Sequence, residues 1–424
     1  MFEICPHTDC TGCSSCAQIC PTKAISMQSD EWGFKYPSID TNLCLECGAC
    51  QKVCPALQVP IRKQRLDEEV FFAAYHVNKS IRMQSSSGGA FSALATATLQ
   101  EGGSVCAAAF DEHFKSVRHI FISNESELPK LRTSKYTQSD MGSCLPEIKK
   151  RLSEGNKILF VGTPCQVSGL HLYLKKEYPT LTTVDILCHG VPSPRIFQDY
   201  MEWLSHKHGN VVKNYSFRDK KWSWYHFNMK ADFADGQTYY GTWEEDPFFR
   251  GFLNDYYLRE CCYRCKFSKH ERYSDITLSD FWDYRKKKGG FRDDDKGISM
   301  CMCNTDKGLS LFQKACHHLV YCTRPRKMSL ANGAFSPRLQ SMDQRSAFLQ
   351  HYNEIGFENC IPIYFQPLPI TGRLQYLYKF GRNGIQLKLY DFVQWLKKKM
   401  RKNFLYKCYH LIKCKFIKED SDTR

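Results

Sequence analysis

Nowhere does this 424-residue chain hold the unbroken run of roughly eighteen apolar side chains that a bilayer-crossing helix needs, so no segment is expected to span a membrane. Its start, Met1-Phe2-Glu3, has no basic stretch leading into an apolar one, and no export signal is read there. Acidic residues are sparse at the other end. Residues 373–424 carry fourteen Lys/Arg against four Asp/Glu, which places +10 of the net +15 in the tail. So local an excess argues against a nucleic-acid-binding role for the whole chain. Residues 1–58, by contrast, hold six acids and three bases. Cysteine is abundant, with 23 residues. Without an export signal these suggest thiolates kept reduced in the cytoplasm, not an oxidised scaffold. The length implies two or three domains with cores of their own.

Eight of the cysteines spell one device twice. Cys10-x2-Cys13-x2-Cys16-x3-Cys20-Pro21 recurs 34 residues later as Cys44-x2-Cys47-x2-Cys50-x3-Cys54-Pro55. This is the bacterial ferredoxin spacing for two 4Fe–4S clusters. The short gaps bring three sulfurs of one loop to neighbouring irons, while the longer gap and the proline turn the fourth cysteine towards the other half. One cluster is thus expected on Cys10, Cys13, Cys16 and Cys54, the other on Cys44, Cys47, Cys50 and Cys20. Zinc would want two pairs instead of two runs of four, and disulfides have no need of this regularity. Such clusters are oxygen-labile, which points to an anaerobic setting. No other internal repeat is found.

Residues 56–69 are charged, contain a proline and read as a linker. From Val70 the pattern alternates between strand and helix. Strands are expected at 70–75, 105–110, 117–122, 157–161 and 183–187, and helices at 90–100, 146–153, 165–176 and from Ser193-Pro194 to about 207. Antiparallel strands follow at 211–217, 225–233 and 237–243, with Asp235-Gly236 as a hairpin turn. Little is assigned beyond Asn304. Residues 157–187 form a βαβ unit, whose functional groups belong at the carboxyl ends of the strands.

Four segments carry chemistry. Ser85-Ser86-Ser87-Gly88-Gly89 opens a helix and suits an anionic phosphate, or is simply a capped turn. Gly162-Thr163-Pro164-Cys165-Gln166 sits where a strand gives way to a helix, with Pro164 at the first helical position. Cys165 would face the mouth of the sheet, its thiolate favoured by the helix N-terminus, or be a buried apolar thiol. Cys188-His189-Gly190 ends the next strand, so Cys165 and Cys188 can meet. Cys261-Cys262-Tyr263-Arg264-Cys265 supplies a pair. Cys165, Cys188, Cys262 and Cys265 make a candidate third four-cysteine site for a 4Fe–4S cluster, with zinc the alternative. Cys262 is preferred to Cys261 because it keeps the x2 gap.

Together with Ser134-Lys135-Tyr136-Thr137-Gln138-Ser139, Val191-Pro192-Ser193-Pro194 and Tyr273-Ser274-Asp275-Ile276-Thr277-Leu278-Ser279-Asp280-Phe281-Trp282, these segments over residues 70–300 resemble the beta subunits of coenzyme F420-reducing hydrogenase and dehydrogenase, here fused to a dicluster ferredoxin. The resemblance implies an iron–sulfur flavoprotein oxidoreductase. One FAD would exchange a hydride with a soluble partner such as coenzyme F420 and single electrons with nearby clusters. It also implies flavin contacts from Ser87, Gly88, Gly89, Lys135, Tyr136 and Thr163. Lys135 would stabilise the anionic reduced flavin, or be a solvated surface lysine. No catalytic acid or base is assigned, although His189 and Asp280 lie in the motifs. Cys261 departs from the family, which offers a small polar residue there. The alternatives are an electron-transfer subunit without its own substrate and a reductase in a surface-polysaccharide pathway.

The expected fold is thus α/β (α+β overall). A ferredoxin-like domain at 1–58 and a linker at 59–69 precede a mixed α/β flavin domain in two parts, 70–145 and 146–370, and a basic helical tail at 371–424. In the tail Phe392, Trp395, Leu396, Met400 and Phe404 fall at helical spacing among lysines. Such a helix suits an anionic membrane surface, an acidic partner or packing on its own domain. The expected location is cytoplasmic, or peripheral at the inner membrane. Expected partners are a redox protein or soluble ferredoxin and a small hydride donor or acceptor.

Overall fold

A computed structural model of the chain describes residues 3–60, 66, 68–282, 284, 290–330, 332–336 and 342–366. All belong to one compact unit, residues 1–370. The tail helix expected beyond residue 371 lies outside the described residues. Among those described, no helix is long and apolar enough to cross a membrane.

The N-terminal module is built from two pseudo-repeated loops. Helix α1 (Ser15–Ile19), the hairpin β1 (Ile25–Ser29) and β2 (Lys35–Ile39), and α2 (Ala49–Lys52) surround buried Phe34 and Val53. The hairpin pairs Ile25 with Ile39. Left-handed residues before each short helix, Gly12 and Ser14 in the first loop and Gly48 in the second, fold the Cys-x2-Cys loops back on themselves.

The rest is a mixed α/β layer structure. In chain order it runs β3 (Val70–His76), α3 (Lys79–Met83), α4 (Ala90–Gln100), β4 (Ser104–Phe110), β5 (Val117–Ile122), β6 (Ser139–Asp140), α5 (Cys144–Ser153), β7 (Ile158–Gly162), α6 (Pro164–Leu174), β8 (Leu181–Ile186) and α7 (Pro194–His208). It continues with β9 (Val212–Asp219), β10 (Asn228–Phe233), β11 (Thr238–Thr242), α8 (Pro247–Leu253), α9 (Glu260–Tyr263), β12 (Ile276–Asp280), β13 (Ser299–Cys303), α10 (Asp306–Ala315), β14 (Leu319–Thr323), α11 (Arg326–Ser329) and α12 (Met342–Tyr364). Nine strands form one sheet in the order β14-β3-β13-β12-β8-β7-β4-β5-β6, and β11-β10-β9 form a separate antiparallel sheet.

The centre of the large sheet, β12-β8-β7-β4, is parallel. Such strands need both faces covered. One face packs on α4, nine of whose eleven residues are buried, and on α10 with Leu311 and Phe312. On α5 and α6, Leu145, Ile148, Val167 and Leu170 join Phe160 in a second core. A third core gathers Trp224, Tyr284, Met300 and Met302. Burying each large apolar side chain is worth about 1.5–3 kcal/mol.

The expected strands and helices from Val70 to Thr242 are present, within a few residues at their ends, and the βαβ unit is right. The strands β12, β13 and β14 and the helices past Asn304 had no expected counterpart. The ferredoxin module packs against the rest of the unit. Ser193 Oγ donates to the Trp32 carbonyl at 2.7 Å, Lys266 Nζ to the Ala56 carbonyl at 2.7 Å, and the Lys35 amide to Gln138 Oε1 at 3.1 Å. A close approach is at Gly169 on α6. A Cβ there would lie 2.7 Å from Ser15 Oγ and 3.0 Å from Cys13 Sγ, so only glycine lets the helix lie on the cysteine loop.

Candidate redox site

The ferredoxin cysteines lie in two groups, Cys10, Cys13, Cys16 and Cys54 in one and Cys20, Cys44, Cys47 and Cys50 in the other. The Cys16 thiol, pushed up chiefly by burial, feels Cys13, Cys10 and Cys54 as neighbours. Cys50, also raised by burial, feels Cys47 and Cys20, and Cys44 lines the same small cavity as those three. The first quartet is buried, while in the second Cys47 is exposed and Cys20 and Cys44 partly so. A fifth thiol, Cys5, is buried beside the first quartet and lowers the Cys10 and Cys54 thiols below the ordinary cysteine value through hydrogen bonds.

The four downstream cysteines also come together. β7 and β8 run parallel with Gly162 opposite Asp185, so their carboxyl ends place Cys165 and Cys188 side by side. Helix α9 and the turn after it bring Cys262 and Cys265 against them. Burial pushes the Cys165 thiol well up, and the nearby thiols of Cys265, Cys188 and Cys262 add to this. All four, with Cys261, line a cavity of about 580 Å³ whose wall also includes Asp9, Thr11 and Ala56 of the ferredoxin module. His189 stands in that wall, its Nε2 2.9 Å from Asp255 Oδ1. Among the described residues, no three Cys, His, Asp or Glu side chains close round one point as a single ion would require.

Thr163 caps α6 in a reciprocal capping box with Gln166, and its Oγ1 lies 3.1 Å from Cys165 Sγ. Cys165 and Gly169 are one helical turn apart, roughly 6 Å along the axis. The third quartet therefore abuts the first.

The other motif residues gather at the same edge of the sheet. Ala74 on β3, Ser299 on β13 and Asp280 on β12 are aligned by register. Gly88 rests on this row, where a Cβ would stand 2.3 Å from the Ala74 carbonyl, and its amide donates to Ser299 Oγ at 3.0 Å. Ser87 Oγ donates to the Ile298 carbonyl at 2.8 Å. Gly89, at φ 92°, precedes α4, and no side chain caps that N-terminus. Lys135 donates to the carbonyls of Leu131, Arg132 and Thr133 at 2.7–3.1 Å, and desolvation lowers it to about 7. Its ammonium thus clamps a turn of its own loop. Tyr136 packs its ring among Phe217, Phe249 and Phe252.

Three cations that the sequence reading missed surround the Ser85–Gly89 turn. Buried Arg218 makes two bonds to Asp280, at 2.9 and 3.1 Å, and donates to Tyr136 Oη and the Ser86 carbonyl, while its Nε is buried without a partner. Arg82 pairs with Asp294 at 2.7 Å. Lys220 donates to the carbonyls of Arg82, Ser87 and Lys296 at 2.6–2.8 Å. The only local hint was the charged run Arg218-Asp219-Lys220 at the end of a strand.

Burial, then Arg82 and Arg218, lower Lys220 to about 7. Between there and the ordinary lysine value near 10.4 the unfolded chain binds more protons than the folded one, so this group makes stability rise with pH. The melting temperature of the wild-type protein is therefore expected to rise between pH 7 and 9.5 relative to Lys220→Met, which lacks the group. Parallel curves for the two proteins would contradict it.

Residues 71–146 match the family described as coenzyme F420 hydrogenase/dehydrogenase, beta subunit N-term, and residues 155–328 its C terminus. Residues 9–57 match a 4Fe-4S dicluster domain. No curated protein matches the chain. Among solved structures, a chain of the F420-reducing NiFe hydrogenase complex from Methanosarcina barkeri aligns at 17% identity and a TM-score of 0.43, over 69% of this chain and 92% of its own. The present chain belongs to the coenzyme F420 hydrogenase/dehydrogenase beta subunit family and is an iron–sulfur electron-transfer protein of that oxidoreductase class, with a 4Fe–4S dicluster domain at its N-terminal end.

Proposed function

We propose that the protein converts between two-electron and one-electron transfer, with one FAD, a third 4Fe–4S cluster and the two ferredoxin clusters in sequence. The observation that carries this is the single cavity lined by Cys165, Cys188, Cys262 and Cys265 and by Asp9, Thr11 and Ala56 of the ferredoxin module. Four thiols spread round an open space suit a polynuclear cluster, in which each sulfur reaches a different iron. Zinc would ask for a closed tetrahedron.

For the flavin, the donor set is the basic edge. Arg218 with its unpartnered Nε, the uncapped N-terminus of α4 and the Ser87–Gly89 turn fit an anionic phosphate group. Thr163 and Tyr136 would flank the same edge. FAD supplies the exchange of a hydride for two single electrons. The chain's own part is positional. Lys220 and Lys135 tie down the loops around the turn, and α6 carries Cys165 at one end and lies against Cys13 one turn later. The second quartet, with Cys47 exposed, faces a partner redox protein. The hydride partner would be a soluble cofactor of the coenzyme F420 kind.

Iron and flavin content after anaerobic purification and reconstitution tests this. The expected result is about twelve irons for three four-iron clusters and one FAD per chain. About eight irons without flavin would leave an electron-transfer subunit only.

A further inference from the structure

Between the first ferredoxin quartet and the third quartet lies a buried cation that the function above does not use. Arg259 is fully buried and enters the ferredoxin module from the residue preceding α9. Its Nε donates to the Cys10 carbonyl at 2.7 Å, Nη1 to Gln138 Oε1 at 3.2 Å and Nη2 to the Lys35 carbonyl at 3.0 Å. The guanidinium stands 3.9 Å over the Tyr36 ring and 5.5 Å from the centre of Phe34. Each of these hydrogen-bond acceptors is neutral.

Arginine does not shed its proton when buried, and a charge taken out of water needs an opposite charge close by. The candidates stand at its two ends. Cys10 belongs to the first quartet, and Cys262 of the other follows three residues on, its amide donating to the Arg259 carbonyl at 2.9 Å and its thiol within electrostatic reach of the guanidinium. We propose that Arg259 is the shared counter-ion of the first ferredoxin cluster and the neighbouring Cys165/Cys188/Cys262/Cys265 centre. Held there, it raises the reduction potential of both above that of the outer cluster on Cys20, Cys44, Cys47 and Cys50. Reduction adds negative charge to a cluster, and a fixed cation in a poorly polarisable interior favours it, while charge and solvent exposure are among the levers that set such potentials. The outer quartet is partly open to water and is not in contact with this guanidinium.

The half concerning the third centre rests on the cluster reading above, whereas the first-cluster half needs only the ferredoxin quartet. The test is an anaerobic redox titration of the full chain followed by electron paramagnetic resonance, with iron counted in each sample, for wild type, Arg259→Gln and Arg259→Lys. In Arg259→Gln the reduced-to-oxidised ratio of the first cluster at a fixed potential should fall at least tenfold, about 59 mV for a one-electron couple. The outer cluster should stay within twofold, and Arg259→Lys should hold the first cluster near its wild-type value. A first cluster unmoved within twofold in Arg259→Gln overturns the proposal. So does an equal fall in Arg259→Lys, which would make the role one of shape instead of charge. Should Arg259→Gln lose iron, Arg259→Lys decides alone, since a loaded first cluster within twofold supports the proposal and a tenfold fall overturns it. Eight irons in the wild type would remove the third centre and leave the first-cluster comparison intact.

Discussion

Replacing Cys262 with serine should take about four irons from the protein, leaving the two ferredoxin clusters in place, whereas Cys261→Ser should leave the iron count unchanged. Both side chains line the same cavity. They differ in how they meet the rest of the quartet. Cys262 is buried, keeps the two-residue gap to Cys265, and is one of the three thiols felt by Cys165. Cys261 breaks that gap, and its strongest neighbour is Cys262, with Cys165 a weaker one. If the proposed third cluster links the proposed flavin to the ferredoxin, its loss should also break electron flow between them. Flavin reduction by a hydride donor would then survive in Cys262→Ser, while reduction of the ferredoxin signals falls by orders of magnitude. Equal iron loss in both variants would mean that either thiol can serve. No loss in either would remove the third centre.

What could be read from the sequence was what the chain solves locally. The ferredoxin quartets were legible because three of each four sulfurs come from one loop, so spacing along the chain is spacing in the site. Cys165 and Cys188 were legible one step further, since adjacent parallel strands fix where their ends lie. Arg259 could not be found that way. Its partner Cys10 is 249 positions distant, and it looks from the sequence like any surface arginine. Arg218 and Asp280 are 62 positions apart and meet only because β12 lies between β13 and β8 inside the large sheet, and the sequence reading had neither β12 nor β13. Strand β13, Ser-Met-Cys-Met-Cys, is buried at every position, so it lacks the alternation that betrays a half-exposed strand. Lys135 shows the converse. Its motif was legible, but the motif could not say that its ammonium would be spent on three carbonyls of its own loop.

Asp280→Ala should cost about 3–5 kcal/mol of stability, because it leaves Arg218 as an uncompensated buried charge. The pair is two-pronged, and Trp224 Nε1 also donates to Asp280 Oδ1 at 3.0 Å. Arg218 is further enclosed by Phe227 at 4.1 Å and Trp282 at 5.2 Å, so water cannot easily replace the carboxylate. The same guanidinium fixes the Ser86 carbonyl and Tyr136 Oη, and the variant should lose bound flavin as well as melting temperature. Stability and cofactor binding separate in a second protein. Replacing both partners, as Asp280→Ala with Arg218→Met, removes the stranded charge and should recover most of the melting temperature, since an ion pair exchanged for apolar groups is often close to neutral. On the proposed flavin reading it should not recover the flavin, because the cation proposed to meet the phosphate is gone. Flavin absorbance that returns with stability in the double variant would show Arg218 to be a structural partner of Asp280 alone. A single variant that melts within about 1 kcal/mol of wild type would show that the pair is not buried in the working protein.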